Sequence, residues 1–307
     1  MNDLSIIIVN WNTEKVLKEC LSSVYRETKN INFRIVVVDN NSSDNSVKMI
    51  EENFPEVMII KNSSNRGFSA ANNQGLKLAN SRAILLLNPD TIVIENAIPK
   101  MYKKLINSDY GLLTCKLLNP DKSLQKSVYP FYSFWRTITE NRFTDFLFSK
   151  LKLKTDKIKQ IWNHDKTIEI DWARGAVLMM KKKTFDLLGF LDERFFVYGE
   201  EIDYYFRARK AGIKSLFFSE VKIIHIGKCS SRQNKSEMFI QNYRSLFQLL
   251  KKHYSQFDYL LYRVRSVFLI FLWYLYYGGL AVFNKDKNQF DVYKKTLLWQ
   301  LNFERIT

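Results

Sequence analysis

The chain has 307 residues, 46% hydrophobic and 25% charged, which suits a globular core in one large domain with an appendage or in two modest domains. Lys and Arg number 47 against 31 Asp and Glu, a formal charge of +16; this implies an anionic partner, whether nucleic acid, an acidic membrane surface or a phosphorylated substrate, unless it only reflects a Lys-rich genome. Three scattered cysteines, Cys20, Cys115 and Cys229, exclude a disulfide framework or a cysteine-based metal site and fit a reducing compartment.

The apolar run Ile6 to Val9 is too short for a signal peptide and has no basic flank, so this part of the chain is expected in the cytoplasm. Residues 4–9, LSIIIV, predict a buried strand. Asn10 to Thr13 then forms a turn, and Thr13 can cap a helix to about Tyr25. Arg34 to Val38 predicts a second strand, ending at the polar cluster Asp39 to Asp44. A helix over 46–53, a strand over 57–61, a small-residue helix over 68–79 and a strand over 83–87 follow. Strands alternating with helices predict an α/β fold, a doubly wound sheet whose ligands sit beyond the carboxyl ends of the strands. Asn10, Asn12, Asp39, Asn65, Arg66 and Asp90 all follow strand ends and so converge on one edge.

Residues 121–170 lose the alternation and are rich in Lys and aromatics, including Tyr129, Phe131, Tyr132, Phe134 and Trp135. They read as an inserted, partly helical segment over the site. Order returns at Ile168 to Met180, and from about Glu237 the chain reads as helical. The expected division is a domain over 1–235 and a helical, membrane-associating region over 236–307. Residues 266–283 carry no charge over 18 positions, with Arg263 and Arg265 before them and Lys285 and Lys287 after. That length is the lower limit of a bilayer span. A span, an in-plane or re-entrant helix, and a helix buried on the main domain all stay open. The basic flanks suit an anionic membrane surface.

Several residues carry possible chemistry. Asp39 can accept a base imide N–H or a ribose hydroxyl, or serve in an Asx turn. Asp90, in Asn88-Pro89-Asp90, can ligate Mg²⁺ or Mn²⁺, or close a proline turn. Glu200, Glu201 and Asp203 place three carboxylates within four residues, so one can be a general base of raised pKa at an acidic helix start. His225 needs a carboxylate companion to hold a metal, and Asp90 is the candidate. The Lys and aromatic interleaving near 126–136 matches no nucleic-acid module, so nucleic acid is not expected as a partner.

The pieces IIIVNWN (6–12), VVVDNNSSD (36–44), NRGFSAANNQG (65–75), LLLNPD (85–90), RGAVLMMKKKTFDLLGFLDERFFVYGEEIDYYFRARKAG (174–212) and HIG (225–227) resemble, in this order, the family 2 glycosyltransferases of GT-A fold. The nearest branch looks like the rhamnosyltransferase-like enzymes of bacterial surface-polysaccharide assembly. The resemblance implies an inverting transferase that moves one sugar from a nucleotide diphosphate donor. Its first-guess donor is deoxythymidine diphosphate-rhamnose. The acceptor would be a lipid-linked or polysaccharide glycan at the cytoplasmic face of the plasma membrane. Asp39 would bind the base or ribose, and Asn10, Asn12, Asn65, Arg66, Gly67, Asn72 and Asp90 would line the donor pocket. Asp90 and His225 would hold a divalent metal. Glu201 would be the base, with Glu200 or Asp203 as alternatives, and Trp172, Arg174 and Gly175 would face the acceptor. Two departures stand out: Asn88 replaces the first carboxylate of an Asp-x-Asp, and the base position is Glu rather than Asp. A UDP-sugar donor remains an alternative, as does a non-catalytic membrane-associated binding protein on the same fold. A nucleotidyltransferase would need a Gly-rich loop where VNWNTEK stands. The sequence leaves the oligomeric state open.

Overall fold

The structure, a computed structural model, describes residues 2–133, 164–227, 235–282 and 286–302. Much of the expected insertion, with Phe134 and Trp135, lies outside them, as do Cys229 and Lys285. The chain divides into two compact units, residues 1–131 with 163–230 and residues 132–162 with 231–307.

In the first unit, β1 (Asn2–Asn10), α1 (Glu14–Glu27), β2 (Phe33–Asp39), α2 (Ser46–Asn53), β3 (Met58–Lys61), α3 (Phe68–Lys77) and β4 (Ser81–Leu87) follow the expected alternation. Then come β5 (Thr91–Val93), α4 (Ala97–Ile106), β6 (Leu112–Leu118), β7 (Leu124–Gln125), β8 (Val128–Tyr129), β9 (Ile168–Glu169), β10 (Trp172–Ala173) and β11 (Val177–Lys181). The unit closes with α5 (Lys182–Leu188), α6 (Glu200–Lys210) and β12 (Ser215–His225).

The main sheet runs β3-β2-β1-β4-β11-β6-β12-β5. β3, β2, β1 and β4 are parallel, and β11 enters antiparallel between β4 and β6. The parallel strands read as unbroken apolar runs because both faces are covered. Leu4, Ile6, Ile8, Ile35, Val37, Leu85 and Leu87 share a core with α1 and α4. The alternate positions Val9, Val36 and Val38 pack instead with Ala71 and Phe68 of α3. The small residues of α3 have a steric cause: a Cβ on Gly75 would lie 2.5 Å from Ile7 Cγ2. Truncating one of these buried aliphatics to Ala costs about 2–5 kcal/mol.

Thr13 occupies the position before α1 but does not cap it through its side chain. Its hydroxyl donates to Asn10 Oδ1, and Asp44 Oδ2 takes the Glu14 N–H at 2.9 Å. The second unit holds α7 (Lys235–His253), α8 (Gln256–Val282) and α9 (Lys287–Leu301), with a small core of Ile240, Phe247, Leu250, Tyr262 and Trp299.

Candidate active site

Three groups of polar residues stand at strand ends and helix starts of the first unit. In the first, β1 and β2 pair in register with Asn10 beside Asp39. Asn10 Nδ2 donates to Asp39 Oδ1 at 2.8 Å and to Ser42 Oγ at 3.0 Å. Asp39 also accepts the Ser42 hydroxyl at 2.6 Å and the Ser42 N–H at 2.9 Å. A carboxylate offers roughly four lone-pair positions, so these neutral donors leave about one for a ligand. Asn12 has a left-handed backbone, and its side-chain oxygen accepts the Ser43 N–H at 2.7 Å. Asn10 is buried with its amide fully engaged, so it orients Asp39 rather than facing a ligand.

The start of α3 adjoins this group through Asn40, whose Nδ2 donates to the Gly67 carbonyl at 3.1 Å. Asn65 Oδ1 accepts the Gly67 N–H at 2.9 Å. Gly67 has φ +84°, and a Cβ there would sit 2.5 Å from the Phe196 carbonyl. Glycine is required because the backbone of the 189–199 loop lies against it. That loop is also held by Phe68 N–H to Phe196 O, Ser69 Oγ to Phe195 O and Asn73 to Leu191. Arg66 is exposed, and its guanidinium has no ion pair among the described residues. Asn72 is buried and donates to Phe68 O one turn earlier, so its amide serves the helix.

The second group follows β4. Asp90 is buried; Nε2 of His225 lies 3.3 Å from its Oδ1, and its carbonyl accepts the Ile226 N–H. Burial is the largest influence on Asp90 and raises its pKa, but the hydrogen bond and charge of His225, with backbone N–H groups of Asp90 and Gly227, together outweigh it and hold the carboxyl below its ordinary value. Gln125, which the sequence reading did not single out, sets the imidazole. Its Nε2 donates to the His225 carbonyl at 3.0 Å, so its Oε1 is the atom 2.6 Å from His225 Nδ1. An amide oxygen only accepts, so Nδ1 carries the hydrogen. A neutral ring would then aim its Nε2 lone pair at a carboxylate oxygen. The arrangement is satisfied only when a positive species, a proton or a metal cation, lies between them. A carboxylate oxygen and an imidazole nitrogen, the latter oriented by a second partner, form a donor pair that fits Mn²⁺ better than the all-oxygen preference of Mg²⁺. No cluster of three or more His, Cys, Asp or Glu that could hold a metal occurs among the described residues, so the remaining ligands would come from elsewhere. Nearby, Asn88 Oδ1 is buried without a partner among the described residues.

The third group is the start of α6. Glu200 is buried with its Oε2 unpartnered among the described residues, and burial and then the charge of Glu201 push its pKa well up. Glu201 is half-buried, accepts the Gly199 N–H at 3.0 Å, and is itself raised by burial, with the Arg174 charge opposing. Gly175 lies against it: a Cβ there would be 3.4 Å from Glu201 Cβ. The Ala176 carbonyl accepts the Asn88 N–H at 2.9 Å, so one stretch of chain links the second and third groups. Asp203 is set apart from this pair. It is fully buried and ion-paired at 2.9 Å with Arg207, whose other nitrogens bind the Leu188 and Phe190 carbonyls. Trp172 is buried, donates to the Pro130 carbonyl and stacks on Tyr129 at 5.0 Å. The exposed Arg174 lies over the same Tyr129 ring at 5.5 Å. Tyr129 thus joins the two, a role visible only in the folded chain.

A parallel sheet with an inserted antiparallel strand, polar strand ends and a paired-carboxylate helix start defines a GT-A transferase. The crystal structure of GalNAc-T7 with UDP, GalNAc and Mn2+ is similar over 75% of this chain and 44% of that one, with TM-score 0.55 and 14% identity, a likeness of fold alone. The glycosyl transferase family 2 model matches residues 5–174, more than half of the chain; the chain belongs to this family and is a glycosyltransferase. A low-salt glycan biosynthesis hexosyltransferase of Haloferax volcanii is 26% identical over 230 residues, 73% of this chain and 67% of the relative. An N-acetylglucosaminyl-diphospho-decaprenol L-rhamnosyltransferase of Mycobacterium tuberculosis is 26% identical over 86 residues, 28% of each chain. An O-antigen biosynthesis protein of Myxococcus xanthus is 22% identical over 245 residues, 75% of this chain but 18% of the relative.

Proposed function

We propose that this glycosyltransferase acts in glycan assembly by moving a single sugar, with inversion, from a nucleotide diphosphate donor to a lipid-linked acceptor at the cytoplasmic face of a membrane. The observation that carries the chemistry is the Glu200–Glu201 pair at the start of α6, lying against Gly175. Glu201 accepts the proton of an acceptor hydroxyl. Its raised pKa brings its basicity closer to that of the group it must deprotonate. The acceptor oxygen attacks the anomeric carbon from the face opposite the diphosphate, which leaves as the bond forms. Glu200, neutral by burial, supports Glu201 without adding a second negative charge. Asp39 orients base or ribose, Arg66 offers a free positive charge to the phosphates, and Trp172 and Arg174 face the acceptor.

Asp90 and His225 would hold the divalent metal, which when bound neutralises charge on the departing diphosphate. The name of the Mn²⁺-bearing structural neighbour and the geometry of the pair support this reading. Rhamnose from deoxythymidine diphosphate-rhamnose, onto a diphosphate-lipid glycan, is supported by the name of the mycobacterial relative.

The test is turnover with deoxythymidine, uridine and guanosine diphosphate sugars, each with a polyprenyl-diphosphate glycan and with Mn²⁺, Mg²⁺ or chelator. One donor giving a singly extended lipid, only with metal, is the expected result. Retained donor use with chelator would remove the metal, and no turnover with any donor would favour a binding protein on this fold.

A further inference from the structure

One helix among the described residues, α8, is long and apolar enough to cross a membrane by length and composition. The way its two faces are used decides between crossing and lying flat. Its inner face holds Tyr262, Ser266 and Ile270, all buried. Its outer face carries Phe257 at 70% exposure, Leu260, Val264 at 61%, Phe268 at 58%, Phe271, Leu275 at 52% and Val282. A soluble helix places charge there. At about 100° per residue, the positions within roughly 80° on either side of Val264 are Phe, Leu, Val, Tyr or Gly throughout, from Phe257 to Val282, with Tyr274 and Gly278, toward one border, lying against Phe290 of α9. An apolar arc of that width exceeds the narrow two-position seam of a coiled coil. Arg263 and Arg265, both half-buried, flank the arc on its two sides and make its borders cationic. The sequence over 235–302 holds ten Lys and Arg against four Asp and Glu.

The inner face is committed to α9, which runs back along α8. Ser266 Oγ donates to Gln300 Oε1 at 3.2 Å, Trp273 and Tyr277 stack on Tyr293 at 5.9 and 5.3 Å, and Tyr274 stacks on Phe290 at 5.2 Å. Over this shared length α9 exposes Asp291, Lys294 and Lys295. Carrying α8 across a bilayer would carry these three charges into hydrocarbon, where charged side chains are strongly disfavoured.

We infer that the α8–α9 hairpin docks in the plane of an anionic bilayer, with the Phe257–Val282 face of α8 sunk to acyl-chain depth and α9 kept on the aqueous side. The occupant is a lipid surface because the arc is wide, carries no charge and has cationic borders, which match anionic phosphates and would repel the like borders of a second copy. This deepens the membrane reading of the proposed function, and its test reads attachment separately from sugar transfer.

Two measurements on the full chain test it. In flotation with phosphatidylglycerol-containing vesicles, Phe268→Glu with Phe271→Glu, and separately Val264→Lys with Leu275→Lys, should lower the bound fraction at least tenfold. Circular dichroism and donor turnover in solution should not change. Undiminished flotation overturns the proposal. So does a lipid-free dimer that these substitutions dissociate, which would assign the face to a second copy. In sealed membrane vesicles with the cytoplasmic face outward, Lys251→Cys and Lys287→Cys, each in a Cys229→Ser background, should react equally with an impermeant maleimide. Protection of Lys287→Cys until detergent is added means a span and overturns in-plane docking. Transfer activity that fails while flotation and labelling behave as stated refutes the sugar-transfer reading alone.

Discussion

The Asp39 corner and the Glu200–Glu201 helix start are both buried acidic sites, yet they are built on opposite principles. Asp39 is surrounded by donors: Asn10 and Ser42 together make three hydrogen bonds to its carboxylate. Glu200 leaves an oxygen unpartnered among the described residues and sits beside a second carboxyl. A satisfied carboxylate is held in place and binds; an unsatisfied pair retains protons to exchange. Buried polar groups are normally partnered, and Glu200 Oε2 is, of the several unpartnered atoms among the described residues, the one that belongs to the proposed general-base pair. Asp90 lies between these cases, its partner His225 being adequate only when a positive species joins them.

The largest expected effect falls on the unsatisfied side. Glu201→Gln should lower transfer by about 10²–10⁴-fold, the usual worth of a general base, while calorimetric donor binding is kept. Full turnover would move the base elsewhere. Asp203→Asn provides the contrast: it breaks the ion pair with Arg207, so it should lower the melting temperature and leave kcat of the folded enzyme near that of the parent.

Next comes the intermediate site. Gln125→Leu frees the His225 ring and should weaken metal-supported turnover by about 10–100-fold at limiting metal, with partial recovery at high metal. An unchanged metal titration would break the assignment of Gln125 as the residue that orients His225.

The pH dependence sharpens the comparison further. Glu200 has a folded pKa above its unfolded value, so the unfolded chain loses that proton first. Its stability contribution is complete below the ordinary Glu range and is lost as pH rises toward the folded pKa. Glu200→Gln should therefore flatten the decline in melting temperature as pH rises above the ordinary Glu range. Transfer itself should rise with pH through a limb above the ordinary Glu range, because the Glu201 pKa is raised and the base must be ionised. The limb belongs to the coupled pair.

The smallest effect is expected at the satisfied corner. Ser42→Ala removes the hydroxyl bonded to Asp39 and Asn12, and should cost about 1 kcal/mol in a urea titration with a similar loss in nucleotide affinity. A loss as large as that of Glu201→Gln would erase the distinction between the two regions.

Much of the first unit could be read without the fold. Both faces of β1, β2 and β4 are buried, so their sequences are unbroken apolar runs, and polar residues mark where each strand stops. The helix start at Glu200 was legible from its acidic first turn. β5 and β6 left no comparable signature: β5 has three residues, and the apolar run of β6 is interrupted by Thr114 and Lys116. Thr13 does not cap α1, because Asp44, brought in from beyond β2, takes the Glu14 N–H instead.

The sequence by itself determined the order of elements, the polar strand ends, the acidic helix start and the uncharged stretch near the C-terminus, because these are local patterns of polarity and period. Only tertiary structure decided which partner each polar group received. Gln125 meets His225 across 100 residues, Asn73 meets Leu191 across 118, and Gly67 is fixed by a carbonyl of Phe196. It also gave one face of α8 to α9 and left the other bare. Such choices depend on which groups the folded chain brings within about 3 Å of one another, and hydrogen bonding acts only at that range.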